Sequence, residues 1–202
     1  MNKYEMRSKN SYDKKAEHYD STFDGKFTVK FKNVMCETVC INSDNTVVDI
    51  ACGNGRLLNM LAKKHNFYGY GVDISDKMIE QAKKLNKNME FYVAGCEELP
   101  FENEKVDVMT VCAAYHHFPN VEKFAEEAKR VIKKDGMLYI AEVYLPAFLR
   151  VIFNPFVKFS KAGDVKFYSP NEIASLFENN GFVRSGIEIN GKVQMIKLKK
   201  NS

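Results

Sequence analysis

Three groups of residues in this chain have types and spacings that could do chemistry. The first is Asp49-Ile50-Ala51-Cys52-Gly53-Asn54-Gly55, a carboxylate leading into a small, glycine-containing turn. Glycines in such a turn let the backbone approach a ligand that a Cβ would hold off. The second is Asp73, about 20 residues past the first glycine, a spacing that suits a carboxylate accepting both hydroxyls of a ribose. Together these two groups point to an adenosine-type ligand. The third is the pair His116-His117, side chains that titrate near neutral pH and can take up a proton.

The hydropathy pattern sets out the elements that must position these groups. Thr46 to Ala51 is a β-branched run ending in the glycine turn. Arg56 to His65 follows with Leu57, Leu58 and Leu61 at helical spacing. Tyr68 to Ile74 reads as the next strand, and Ser75 caps a helix running to about Leu85. Further strands are expected at 89–94, 105–112 and 137–143, with a helix at 121–132 and a turn at Asp135-Gly136. Ser169-Pro170 opens a last helix that Asn180-Gly181 closes, and 182–189 and 192–198 form a hairpin around Asn190-Gly191. Ahead of all this, residues 1–10 read as a frayed polar start. A helix then begins at Ser11, with Tyr12, Ala16 and Tyr19 on one face. A second helix covers 27–41, with Phe31, Val34, Met35 and Val39 inward.

Strands alternating with helices predict an α/β fold, a doubly wound and mainly parallel sheet of seven strands with helices on both faces. The closing hairpin must bring in one antiparallel strand. Such sheets bind ligands outside the carboxyl ends of their strands, which is where the glycine turn falls. A dinucleotide is disfavoured, because the third small residue of its fingerprint would stand at Leu58.

The turn resembles the cofactor motif of class I S-adenosylmethionine (SAM)-dependent methyltransferases, with Ala51 in place of the first glycine. Tyr70-Gly71-Val72-Asp73-Ile74-Ser75 is similar to that family's second-strand motif. Gly95-Cys96-Glu97-Glu98-Leu99-Pro100-Phe101 is similar to its third-strand loop. Val106 to Cys112 with Tyr115-His116-His117-Phe118 is similar to its fourth strand, and Asp135-Gly136-Met137-Leu138 to the turn before the fifth. The segment Tyr12 to Asp20 resembles the lead-in helix of the small-molecule branch that includes ubiquinone and menaquinone biosynthesis methyltransferases.

The resemblance implies a Rossmann-like fold, SAM as cofactor and S-adenosylhomocysteine as product. It implies that Asp49 faces the methionine ammonium, with Ala51, Cys52, Gly53, Asn54 and Gly55 along the amino-acid tail and Tyr19 near its carboxylate. Asp73 would hold the ribose, with Ile74 and Met78 against adenine and Cys112 at the fourth strand end. Gly95 stands where the family usually has the aspartate that accepts from adenine N6, so adenine recognition is expected from Cys96 or Glu97. Methyl transfer is an in-line displacement, and a protonated acceptor needs a base, for which His116 and His117 are the candidates.

The acceptor is expected to be a small apolar or aromatic molecule. Residues 144–159 are nearly all apolar and follow the fifth strand, where they could cover a substrate pocket, join a dimer or touch a membrane surface. The 202 residues are read as one domain, with a helical cap over 1–41 and an apolar insertion over 144–168. Net charge is only +4, from 30 basic and 26 acidic residues, and no basic tail is present. Nucleic acid is therefore not the expected acceptor. An RNA or protein acceptor, and a non-catalytic SAM-binding module, remain as alternatives.

Five cysteines without a C-x-x-C pair suggest free thiols, no metal centre and a cytoplasmic protein, as a monomer or homodimer. No secretory signal and no run long enough to span a membrane are expected.

Overall fold

The computed structural model describes residues 1–157 and 159–201. In chain order the elements are α1 (Lys3–Asp13), a 3-10 segment (Ala16–Ser21), α2 (Phe23–Thr38), β1 (Asn45–Ile50), α3 (Arg56–Ala62), β2 (Phe67–Asp73), α4 (Asp76–Leu85) and β3 (Glu90–Val93). They continue with β4 (Val106–Cys112), a 3-10 turn (Tyr115–His117), α5 (Val121–Val131), β5 (Ile132–Val143), α6 (Ala147–Val157), α7 (Pro170–Asn179), β6 (Phe182–Asn190) and β7 (Val193–Lys200).

The seven strands form one sheet in the order β3-β2-β1-β4-β5-β7-β6. Only β7 runs against its neighbours, pairing antiparallel with both β5 and β6. β1 and β4 at the centre are mostly apolar because both of their faces are covered. Val48, Ile50, Met109 and Val111 pack toward α5 and α7, around Phe124 and Phe177. Val47 and Val108 pack toward α2 and α3, around Phe31, Met35, Leu57 and Leu61. Chain order reverses between β1 and β4, and the carboxyl ends of these strands leave a crevice at that switch point.

Several expectations need correction. The polar start is a capped helix, not a frayed end. Asn2 accepts from the Tyr4 and Glu5 N–H groups, and Glu5 accepts from the Asn2 N–H, a complete capping box. The helix is pinned to α4, because the Ser75 hydroxyl donates to Asp13 at 2.6 Å and Lys9 pairs with Asp76. Asp135-Gly136 does not separate two elements either. β5 runs for 12 residues through this pair, which forms a bulge with Asp135 at φ 63° where the register against β4 slips.

The expectation that Pro146 and Pro155 break any long helix is half right. Pro146 precedes α6, but Pro155 lies inside its last turn. Within the apolar stretch 144–159, Lys158 lies outside the described residues. No helix among the described residues is long and apolar enough to cross a membrane.

Candidate active site

The crevice opens into a cleft with about 110 Å³ of room for water-sized spheres, lined by the strand ends and the N-terminal helices. One wall is the turn after β1. Ala51, Gly53 and Gly55 all take left-handed backbone, at φ 54°, 54° and 73°. Glycine adopts this freely, whereas Ala51 does so at a cost of about 1 kcal/mol. Ala113, at the end of the neighbouring β4, has the same φ of 54°. Strain at two adjacent strand ends, both lining the cleft, fits a site whose backbone is shaped for a ligand.

Asp73 closes this wall. One carboxylate oxygen accepts the Gly53 N–H and the other the Ser75 N–H, each at 2.8 Å. The carboxylate is therefore locked in place at the end of β2. These bonds do not use all of its roughly four acceptor positions, which leaves capacity toward the cleft. Burial pushes its pKa up, against the pull of these backbone donors. Asp49 lies deeper, with one oxygen accepting from the Thr110 hydroxyl at 2.7 Å. Burial raises its pKa to about 7, opposed by Thr110 and by Lys32. A cation bound beside it would favour the ionised form.

The opposite wall comes from the N-terminal helices. Tyr12, Tyr19, Thr28 and Lys32 line the cleft, as do Glu5 and Ser8 of α1. Lys32 is buried, donates to the Thr28 hydroxyl at 2.7 Å and has its pKa lowered by burial. Burial raises the Tyr19 hydroxyl to about 12.

The two histidines part company. His116 does not line the cleft. Its Nδ1 is 2.8 Å from an oxygen of Glu142, a fully buried carboxylate on β5. Burial alone would lower its pKa, but Glu142 and then Asp164 outweigh that and raise it. His117 does line the cleft. Its Nε2 is 3.0 Å from the Tyr12 hydroxyl, and its Nδ1 is 3.0 Å from Asp164. Burial, with the His116 ring beside it, lowers its pKa. His116 thus belongs to an ion pair, while His117 stays neutral at pH 7 and can accept a proton.

Comparison with known proteins fits this geometry. A family model described as a methyltransferase domain matches residues 48–140, the stretch from β1 into β5 that builds the cleft floor. A demethylmenaquinone methyltransferase of Thermotoga maritima is 27% identical over 196 residues, spanning 85% of this chain and 86% of that protein. The ubiquinone/menaquinone biosynthesis C-methyltransferase UbiE of Rickettsia bellii is 34% identical over 112 residues. That match spans 50% of this chain and 45% of the relative, less than half of its length. These matches support a SAM-dependent methyltransferase of the class I type. The chain's fold is also that of a SAM-dependent methyltransferase from Aquifex aeolicus, with TM-score 0.71, 20% identity, and coverage of 93% of this chain and 97% of that one.

The cleft brings together most of the residues expected at the cofactor. Tyr19, Asp49, Ala51, Cys52, Gly53 and Asn54 line it, and so do Asp73, Ile74, Met78, Gly95, Cys96 and Cys112. Gly55 lies just behind the turn, as the residue that starts α3. Glu97 faces away, toward Lys123 at 3.9 Å. The Cys52, Cys96 and Cys112 thiols all have their pKa raised by burial, so they are uncharged at neutral pH.

The expected cover over the cleft is not in place. No described residue of 144–168 lines the cleft, and Phe148, Val151, Ile152, Phe153 and Phe156 of α6 are all exposed. The loop after α6 contributes in another way. Asp164 reaches both histidines, and Phe167 stacks on His116 at 5.5 Å. Sequence reasoning missed Glu5, Ser8, Tyr12, Lys32 and Asp164. The Asn2-x-x-Glu5 capping box was the one local signal that could have placed α1.

Proposed function

We propose that this methyltransferase moves the methyl group of SAM to a small apolar or aromatic acceptor. The observation that carries this reading is Asp73, a carboxylate fixed by two backbone N–H groups in the wall of an open cleft. Its free lone pairs suit two ribose hydroxyls. Asp49 suits the ammonium of the methionine tail, and Lys32 with Tyr19 its carboxylate. Ile74 and Met78 flank the adenine. Tyr12 and His117 stand on the acceptor side.

Adenine recognition is not left without a carboxylate. A Cβ added at Gly95 would stand 3.4 Å from Glu5 Oε1. Glu5, arriving from α1, thereby occupies the region that the family's usual aspartate would fill. We assign it the adenine N6 contact in place of Glu97.

SAM, when bound, would supply the methyl group, and His117 would take up the proton that the acceptor gives up. The cofactor supplies its own leaving group, so the protein's part is alignment and proton removal. The similarity to quinone-biosynthesis enzymes and the exposed apolar face of α6 support an acceptor met at a lipid surface.

Calorimetric titration with S-adenosylhomocysteine and with NAD tests the cofactor. One S-adenosylhomocysteine per chain is expected and no NAD, with Glu5→Gln weakening the former about tenfold, as loss of one charge-assisted hydrogen bond does. NAD binding without S-adenosylhomocysteine binding would overturn the reading. A screen with methyl-labelled SAM over quinols, phenols and amines then tests transfer. Binding without transfer to any acceptor would leave a non-catalytic SAM-binding module.

A further inference from the structure

We propose that His116, His117 and Asp164 form a binding site for a divalent transition-metal ion of the zinc type at the acceptor end of the cleft. The site goes beyond methyl transfer and does not depend on it. It also departs from the sequence expectation that no metal is bound.

The argument is geometric. His117 Nδ1 lies 3.0 Å from Asp164 Oδ1, and His116 Nε2 lies 3.7 Å from the same oxygen. One ligand atom from each of the three residues falls within 4.8 Å of the others. Zinc–nitrogen and zinc–oxygen bonds of about 2.0–2.2 Å in a tetrahedron place ligand atoms about 3.3–3.6 Å apart. The observed separations bracket that edge. Three protein ligands leave a fourth position open, and two imidazoles with one carboxylate favour zinc, iron(II) or cobalt(II) over magnesium or calcium.

The surroundings are those of a metal site as well. A ligating histidine usually donates its second ring N–H to a carboxylate or other acceptor, which fixes ring and tautomer. Here the second nitrogen of His116 faces buried Glu142 at 2.8 Å, and the second nitrogen of His117 faces the Tyr12 hydroxyl at 3.0 Å. Both rings therefore aim their remaining nitrogens at Asp164. His117 Nδ1 is buried, with Asp164 Oδ1 as its neighbour at 3.0 Å. A cation between them would be ligated by both ring nitrogens and the Asp164 oxygen.

The loop carrying Asp164 is itself held. Val165 N–H donates to the His116 carbonyl at 2.8 Å. Gly163, at φ 82°, packs so closely on α1 that a Cβ would meet the Tyr4 carbonyl at 2.6 Å. The Asp164 side chain is 20% exposed, which gives an ion a way in. Binding has a chemical consequence. With Nδ1 on the metal, His117 carries its proton on Nε2 and cannot act as a base, so loading shifts activation of an acceptor oxygen to the ion.

The test uses the full chain, stripped with chelator, and titrated with cobalt(II) as a spectroscopic probe. One equivalent per chain is expected, with visible d–d bands of nitrogen and oxygen ligation that zinc(II) then abolishes. Asp164→Asn should weaken binding at least tenfold, and Glu142→Gln about 10–100-fold through His116. In proton NMR, cobalt should broaden the signals of two of the chain's four histidines. Should either variant fail to fold, the wild-type bands and the NMR count decide alone. Absence of stoichiometric binding, a sulfur-to-cobalt charge-transfer band, or an affinity indifferent to Asp164→Asn would each overturn the site. None of these outcomes affects S-adenosylhomocysteine titration, so failure here is distinct from failure of the methyl-transfer reading.

Discussion

The two halves of the cleft are built on different principles. The half at the ends of β1 and β2 is made almost wholly from local sequence. Asp49, the turn to Gly55, and Asp73 lie within 25 residues, and backbone N–H groups fix the key carboxylate. The half at the end of β4 is assembled from distant pieces. Tyr12 meets His117 across 105 positions of the chain, and behind the cleft wall Glu142 meets His116 across 26 and Asp164 reaches His117 from the loop after α6. On the proposed reading the cofactor half is a compact, nearly self-contained segment, and the acceptor half draws on residues that the fold brings near.

The sharpest way to break this contrast is to change one half and read both. His117→Gln, assayed with chelator present, keeps the volume and a hydrogen-bonding partner for Tyr12 but removes the base. Turnover is expected to fall about 10²–10⁴-fold for an acceptor that must lose a proton. S-adenosylhomocysteine affinity should stay within about twofold, because His117 stands beyond the ribose end. An equal loss in both measurements would show that the halves are one unit.

Asp73→Ala is the reciprocal change. Its carboxylate is expected to carry two charge-assisted hydrogen bonds to the ribose, each worth about 1.5–3 kcal/mol. Cofactor affinity should drop by about 100-fold or more, with acceptor KM unchanged. Gly53 and Ser75 would also lose their acceptor, so a lower melting temperature is expected alongside. Affinity that survives the substitution would remove Asp73 from the cofactor site.

The same contrast explains what could be read in advance. The seven strands, their order of appearance and the antiparallel β7 follow from β-branched runs, caps and glycines that act within a few residues. The cofactor wall was legible for the same reason. α1 was not, since it is polar on nearly every face and buries only Ser8. Its stability comes from docking, through Asp13 and Lys9, rather than from an apolar stripe. Asp164 carried no signal because its partners are two histidines nearly 50 positions earlier. Glu97 sits in a local loop motif yet outside the cleft lining, and the carboxylate beside Gly95 is Glu5 from α1, far away in sequence. α6 shows the limit of composition alone. Its apolar residues were expected over the cleft and stand exposed instead.

The smallest effect separates the halves by pH. Burial holds the Asp49 pKa at about 7 in the empty protein, with Thr110 and Lys32 pulling it down. An ammonium bound beside it favours the carboxylate, so binding should release a proton near neutral pH. Below pH 7 the ligand must first deprotonate Asp49, and each further unit of acidity costs up to tenfold in affinity. Between pH 8 and pH 6, S-adenosylhomocysteine affinity is therefore expected to fall about tenfold. The slope should flatten above pH 7 and vanish in Asp49→Asn, which binds more weakly throughout. The acceptor half predicts a separate signature. With its pKa lowered by burial and by His116, His117 stays neutral over most of this range, so turnover at saturating cofactor should change less than affinity does. Affinity flat from pH 8 to 6 would mean that Asp49 does not face a cation. A slope that persists in Asp49→Asn would assign the titration to Asp73, the other buried acid of that wall.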